Sequence, residues 1–112
     1  MNPIAITHGI LALIIIAISL PLIRRKIGRN SWYGIRIPEA FKSEERWLEI
    51  NHYGGRLLLA WGVAIAIVSG LGLPLEKKYW PAYGVGLILV LLGGLGIVVA
   101  LILRYAAKTK KN

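Results

Sequence analysis

The sequence GRNSWYGIRIPEAFKSEERWLEINHYGGR occupies residues 28–56 and differs sharply in composition from the chain on either side. It holds four of the five acidic residues, one of the two histidines and two of the four tryptophans. The sequence that flanks it is almost entirely apolar. This contrast predicts a scaffold of membrane helices that holds one polar, aromatic and charged segment at a bilayer surface.

Three long segments contain no charged side chain: residues 4–23, 57–75 and 79–103. Each is about as long as a helix that crosses a hydrocarbon core roughly 30 Å thick. We therefore predict an all-α integral membrane protein with three transmembrane helices, in which residues 1–112 form a single domain. Residues 24–56 then form a central loop, and residues 104–112 form a basic tail.

The overall composition excludes several classes of protein. Hydrophobic residues make up 56% of the 112 residues, more than a soluble domain of this length can bury. The chain has no cysteine, which excludes disulfides and cysteine metal sites. In a soluble protein the net charge of +9 would suggest nucleic-acid binding. Here the cations flank apolar segments, so they predict contact with anionic lipid headgroups and no nucleic-acid partner.

The cations also predict an orientation in the membrane. Of the fourteen lysines and arginines, twelve lie in the loop 24–56 or the tail 104–112, and two lie in the turn between the second and third helices. Three spans place the loop and the tail on the same side of the bilayer. The positive-inside rule makes that side the cytoplasm. We therefore predict a multi-pass protein of the cell membrane with its N-terminus outside.

Small residues recur along one side of each predicted helix, and they predict how the helices pack. The three stripes are Ala5, Ala12 and Ser19; Gly62, Ala66 and Gly70; and Gly86, Gly93 and Ala100. Small side chains let helix backbones approach closely in lipid. One chain needs such faces for its own contacts, so we favour a monomeric bundle, with a homo-oligomer as the alternative.

The central loop divides into an irregular part and a helical part. Glycines and a proline interrupt residues 28–38 and disfavour a helix there. Ser43 is a suitable helix N-cap, and Glu44 and Glu45 then fall in the first turn, where the helix dipole favours acidic side chains. This pattern predicts a short interfacial helix before the second span.

The loop carries one weak metal-binding pattern. Glu49 and His52 have the spacing of the Glu-x-x-His motif in di-iron helix bundles, but the spans offer no carboxylate to complete such a site. We therefore predict no metal and no cofactor, with Glu49 and His52 as weak metal candidates only. Zinc-protease, P-loop, nucleophile-elbow and Rossmann patterns do not occur, so no catalytic residue is assigned.

Three short elements of the loop occur together in a recognisable order. They are N-S-W-Y-G-I-R-I-P at residues 30–38, S-E-E-R-W at 43–47 and N-H-Y-G-G at 51–55. Together they resemble the SdpI family of small membrane proteins, which is named for an immunity protein against a sporulation-delaying toxin peptide. The resemblance implies a role in toxin immunity. The implied role includes sequestration of a transcriptional repressor at the membrane.

This sequence departs from the family pattern in two places. Ile37 stands where threonine is usual, and Lys42 stands near a point where serine is common. A contact that needs a hydroxyl at either place is absent or moved to Ser43. The family's named member is longer and has further spans, so this chain resembles a stand-alone domain.

These observations predict a non-enzymatic receptor or immunity protein that binds a peptide toxin or a regulatory partner through residues 28–56. The expected binding residues are Asn30, Trp32, Tyr33, Gly34, Arg36, Pro38, Glu44, Glu45, Trp47, Asn51 and His52. One alternative is a membrane-interface enzyme acting on a lipid or lipid-linked phosphate, with Arg29 and Arg36 holding the phosphate. In that enzyme Glu45, Glu49 and His52 supply acid–base or metal chemistry. Another is an oligomeric small transporter, although the spans lack the Asp, Glu, Lys or Arg that often marks an ion path.

Overall fold

The computed structural model describes residues 1–110 and contains three long α-helices: α1 (Pro3–Ile23), α2 (Glu44–Gly72) and α3 (Trp80–Lys108). Two short 3-10 helices, Pro38–Lys42 and Lys77–Tyr79, precede α2 and α3. No β-strand occurs among the described residues, and all three long helices have the length and apolar composition needed to cross a membrane. The prediction of an all-α membrane protein with three spans is confirmed.

The second helix is longer than the apolar run that predicted it. It begins at Glu44, so the segment expected to form a short interfacial helix is the first part of α2. Ser43 caps it as predicted, because the Ser43 hydroxyl accepts a hydrogen bond from the Arg46 amide at 3.0 Å. The Gly54–Gly55 pair does not interrupt the helix. A Cβ on Gly54 would collide with Ile35, so this glycine leaves the space that the Ile35 side chain occupies.

The third helix also continues beyond its apolar run. It ends at Lys108, so residues 104–108 of the predicted basic tail are helical. The last two residues of that tail, 111–112, lie outside the described part of the chain. The helix continues because its final turn packs against α2, where Ala106 is buried.

The small-residue stripe of α1 packs as expected. Ala5, Ala12 and Ser19 are all buried against α2, which lies between α1 and α3. Close packing extends to Gly62 of α2, where a Cβ would lie 3.0 Å from side-chain atoms of Ile15. This helix pair is therefore joined through small residues, as helices in lipid commonly are.

The stripe of α3 does not pack inside the bundle. Gly86 and Gly93 have no atom within 4 Å of where a Cβ would stand, so they face outward. The expectation of internal packing is wrong for these two glycines. The ring of Trp61 on α2 lies against Gly94 instead. The position of this large side chain therefore determines which glycine of α3 faces α2.

The two ends of the bundle are closed differently. At one end Asn2 caps α1 by accepting from the Ile4 amide at 3.0 Å, and its amide group donates to the Gly72 carbonyl at 3.2 Å. At the other end residues 24–43, which we call the cap, fold over the helices. We call this end of the bundle the cap end.

Candidate binding site

The cap is held in place by side chains from the first turns of α2. Trp47 is fully buried, and its indole Nε1 donates to the Ile27 carbonyl at 2.9 Å. The Trp47 ring also packs against Phe41, with 5.2 Å between ring centroids. A side chain predicted to bind a partner is thus part of the core between the cap and the helices.

Asn51 joins the cap to α2 through the backbone of Ile35. Its Oδ1 accepts from the Ile35 amide at 2.6 Å, and its Nδ2 donates to the Ile35 carbonyl at 3.3 Å and the Trp47 carbonyl at 3.0 Å. Asn51 is buried, so these bonds satisfy polar groups that have no access to water. The amide side chain therefore fixes the irregular part of the cap at one defined point.

Gly34 permits this close approach. Its φ is +115°, a backbone conformation that other residues rarely adopt. A Cβ at Gly34 would lie 2.8 Å from Asn51 Oδ1 and 2.8 Å from the Trp47 ring. Both the torsion and the space thus require glycine here.

Asn30 organises the turn before Gly34. Its Oδ1 accepts from the amides of Trp32 at 2.9 Å and Tyr33 at 2.6 Å, while its Nδ2 donates to the carbonyls of Gly28 and Tyr33, each at 2.8 Å. An Asn side chain that bonds the backbone two or three residues on is a common turn former. The role that the structure gives Asn30 is therefore local folding.

Two further contacts attach the cap end to α1. The Tyr33 hydroxyl donates to the Ile18 carbonyl at 2.6 Å, and burial raises the pKa of this phenol above its ordinary value of 10.0. His52 Nδ1 lies 2.7 Å from the Ile23 carbonyl and donates to it, since a carbonyl only accepts. These bonds connect the cap to α1 and α1 to α2.

Arg46 ties three elements together and was not among the predicted site residues. It is 3% exposed, and its Nε lies 2.9 Å from Glu39 in the first 3-10 helix. Its Nη1 pairs with Glu49 and donates to Thr109 at 2.9 Å, and its Nη2 donates to the Ala106 carbonyl at 2.7 Å. Arg46 therefore satisfies the Ala106 carbonyl in the last turn of α3 while joining the cap to α2.

The acidic partner of Arg46 in the cap is well suited to remain ionised. Lys42, which lies 2.8 Å from Glu39, and then Arg46 hold the pKa of the Glu39 carboxyl below its ordinary value of 4.5. The sequence predicts one contact of this cluster, the ion pair of Arg46 with Glu49, because the two residues are three apart on one helix face. The contact with Glu39 and the end of α3 depends on the tertiary fold.

Further predicted residues are Glu44 and Glu45, in the first turn of α2, and Pro38, in the 3-10 helix before it. Glu44 accepts from the Arg29 amide at 3.1 Å and forms an exposed ion pair with the Arg29 side chain at 3.9 Å. Glu45 is exposed in the first turn of α2, where its charge suits the helix dipole. Pro38 opens the first 3-10 helix, which its fixed φ favours.

The structure does not bring the acid–base candidates to one site. Glu49 pairs with Arg46, whereas His52 donates to the Ile23 carbonyl. Arg36 donates to the Ser31 carbonyl. Within residues 1–110 no group of three histidine, aspartate or glutamate side chains has metal-binding geometry.

Trp32 is the most exposed large hydrophobic side chain of the cap. It is 79% exposed and contacts Tyr33 edge to face, with 5.9 Å between ring centroids. Beside it is a pocket of about 210 Å³ whose lining comes from the cap, α1 and α2. The pocket is lined by Ile18, Leu22, Trp32, Tyr33, Gly34, Ile35 and Leu58. We call Trp32 and this pocket the Trp32 face.

Replacing Gly34 by alanine tests the cap geometry. We expect Gly34→Ala to lower the free energy of unfolding by about 1–3 kcal/mol, because it combines a strained torsion with a collision against Asn51. The measurement is denaturant unfolding in detergent. Gly93→Ala is the matched control, since Gly93 is helical and has open space around it. Equal stability of the two variants would contradict this geometry.

Comparison with known proteins gives one match. A family model described as the SdpI/YfhL protein family matches residues 26–104, which covers most of the cap, all of α2 and most of α3. A search of curated proteins gives no match, and a search of solved structures gives none.

Proposed function

Because the chain belongs to the SdpI/YfhL protein family, we propose that it is a non-enzymatic membrane receptor or immunity protein. Its ligand is a peptide toxin or a regulatory protein, which it binds at the Trp32 face. The enzyme and transporter alternatives have no comparable observation in their favour.

The observation that carries this proposal is the exposure of Trp32 on an otherwise anchored cap. Trp32 is 79% exposed although the neighbouring Tyr33 and Gly34 are fixed by contacts to the helices. A large aromatic side chain on a rigid support binds a partner with little loss of conformational freedom. The pocket beside it is almost wholly apolar, so it suits an apolar side chain of the partner.

Arg36 adds a polar contact to the same region. It is exposed and close to Trp32 in sequence, and its guanidinium already donates to the Ser31 carbonyl. A guanidinium has five N–H donors, so Arg36 keeps others for a carboxylate. A peptide with an apolar anchor and an adjacent carboxylate fits this combination.

We further propose that the cap and the C-terminus lie on the cytoplasmic side of the cell membrane. The distribution of lysine and arginine supports this orientation. Ile18 and Leu22, which line the pocket, belong to the first membrane span. The pocket then opens at the boundary between lipid and water, where an amphipathic peptide accumulates.

Trp32→Ala separates binding from folding. We expect it to weaken partner binding about 30-fold, as for a hot-spot residue worth roughly 2 kcal/mol. Because Trp32 is exposed, we expect the free energy of unfolding to stay within about 0.5 kcal/mol of the wild-type value. Tyr79→Ala is the matched control, since Tyr79 is an exposed aromatic residue at the opposite end of the bundle.

The partner is found by placing a photoreactive amino acid at residue 32 or residue 79 in living cells. The proposal predicts a discrete polypeptide adduct from residue 32 and none from residue 79. Binding is then measured with that polypeptide. Adducts with lipid alone at both residues would show that Trp32 is a membrane anchor, and the proposed function would fail.

A further inference from the structure

A second candidate site lies between α2 and α3 at the cap end, away from the Trp32 face. Tyr53 of α2 and Tyr105 of α3 stack with 3.9 Å between ring centroids and 7° between ring planes. Each ring is half-buried. Two hollows border this stacked pair.

The two hollows have similar linings. One, of about 300 Å³, is lined by Tyr53, Arg56 and Leu57. The other, of about 340 Å³, is lined by Tyr53, Leu101, Arg104, Tyr105 and Lys108. We call the two hollows together the tyrosine groove. Each hollow combines tyrosine, arginine and leucine, and no acidic residue lines either one.

Lys108, the two tyrosines and the two leucines follow one another along the helix axes in the order of the headgroup, glycerol region and acyl chains of a phospholipid. Leu57 and Leu101 each lie four residues from the tyrosine of their own helix, on the side facing the bilayer centre. Four residues correspond to a depth of about 6 Å. Lys108 lies on the opposite side of the tyrosines, towards water. From water inward, the groove therefore presents Lys108, then the two tyrosines with Arg104 beside Tyr105, and then the two leucines with Arg56 beside Leu57.

The cations of the groove have no ion-pair partner within residues 1–110: the ion pairs described there involve other basic residues. Glu49, one turn before Tyr53 on α2, is engaged by Arg46. Arg56 stands at the edge of the apolar run of α2, where an arginine extends towards the headgroup layer. An anion at that depth would compensate its charge.

From this arrangement we propose that the tyrosine groove binds one anionic phospholipid. Arg56, Arg104 and Lys108 hold the phosphate and the acidic headgroup, and the tyrosine hydroxyls donate to the phosphate oxygens. The acyl chains lie along Leu57 and Leu101. An acidic peptide would match the charges but would leave these leucines, one turn deeper, without a fitting contact.

The test is native mass spectrometry of the full chain in dodecylmaltoside with added phosphatidylglycerol or phosphatidylcholine of the same acyl chains. We expect the wild type to prefer phosphatidylglycerol by at least tenfold, roughly the effect of two or more cations near a headgroup. Arg56→Gln, Arg104→Gln and Lys108→Gln combined should reduce this preference to about twofold or less. Thermal unfolding without lipid checks that the triple variant folds, and the single arginine variants replace it if it does not.

The chain offers a matched control. Arg24, Arg25 and Lys26 are exposed at the cap end and have the same composition of two arginines and one lysine. Their triple glutamine variant should keep the preference for phosphatidylglycerol. Equal losses in both triple variants, or no loss in the groove variant, would overturn the proposal. Displacement of the lipid by inorganic phosphate, or retention of an acidic peptide in its place, would also overturn it.

Discussion

Replacing Arg46 by alanine is expected to lower the free energy of unfolding by about 3–5 kcal/mol, the range for breaking a buried ion pair by removing one partner. Arg46 is 3% exposed and contacts Glu39, Glu49 and the end of α3. Its loss leaves two carboxylates close together and the Ala106 carbonyl without its donor. The cap and the last turn of α3 should loosen together.

Arg56→Ala is the control for this prediction, because Arg56 lies on the same helix but is exposed. Both variants are unfolded by denaturant in detergent without added phospholipid, so that lipid binding does not affect the comparison. Arg56→Ala should stay within about 0.5 kcal/mol of the wild type. If Arg46→Ala were equally mild, Arg46 would not connect the cap to α3.

Trp47→Ala is expected to have an effect of similar size, about 3–5 kcal/mol for truncating a buried aromatic side chain. The indole fills the space between the cap and α2, and its Nε1 satisfies the Ile27 carbonyl. Both contacts disappear in the alanine variant. The cap should then detach while the three spans remain helical.

Trypsin reports detachment of the cap directly, since Arg29, Arg36 and Lys42 lie within it. We expect cleavage within residues 24–43 of Trp47→Ala under conditions in which the wild type resists. Trp32→Ala is the control, because it removes the same side chain from an exposed place in the cap. Resistance of both variants would mean that Trp47 does not hold the cap.

The spans and the start of α2 could be predicted from sequence because their signals are local. Uncharged runs of sufficient length identify the helices, and Ser43 with Glu44 and Glu45 marks the N-terminus of α2. Hydropathy alone places the second span after Arg56, whereas α2 begins at Glu44, because residues 44–56 also pack against the cap.

The internal contacts of the cap could not be predicted, because they depend on which residues meet across the fold. Asn51 bonds the backbone of Ile35, sixteen residues away, and Arg46 bonds Ala106, sixty residues away. No periodicity encodes such contacts. The resemblance indicated which residues matter, but it did not separate those that hold the cap from Trp32, which faces outward. The binding role of the motif remains a prediction.

The outward stripe on α3 shows a limit of small-residue patterns. Gly86 and Gly93 have the spacing of a packing face, yet they have no neighbour within 4 Å. Glycine is frequent in membrane helices for several reasons, so spacing alone does not assign a partner. The position of a large side chain such as Trp61 decides which face is used.

Amide hydrogen exchange at Ile35 shows whether residues 24–43 form a folded cap that presents Trp32. The Ile35 amide donates to the buried Asn51 side chain at 2.6 Å. Measured by NMR in detergent micelles, it should exchange at least 100-fold more slowly than an unstructured peptide, roughly the protection of a bond that opens only with the cap. Exchange of Ile35 at the rate of an unstructured peptide would mean that residues 24–43 are not folded onto the helices, and Trp32 would then belong to a flexible loop.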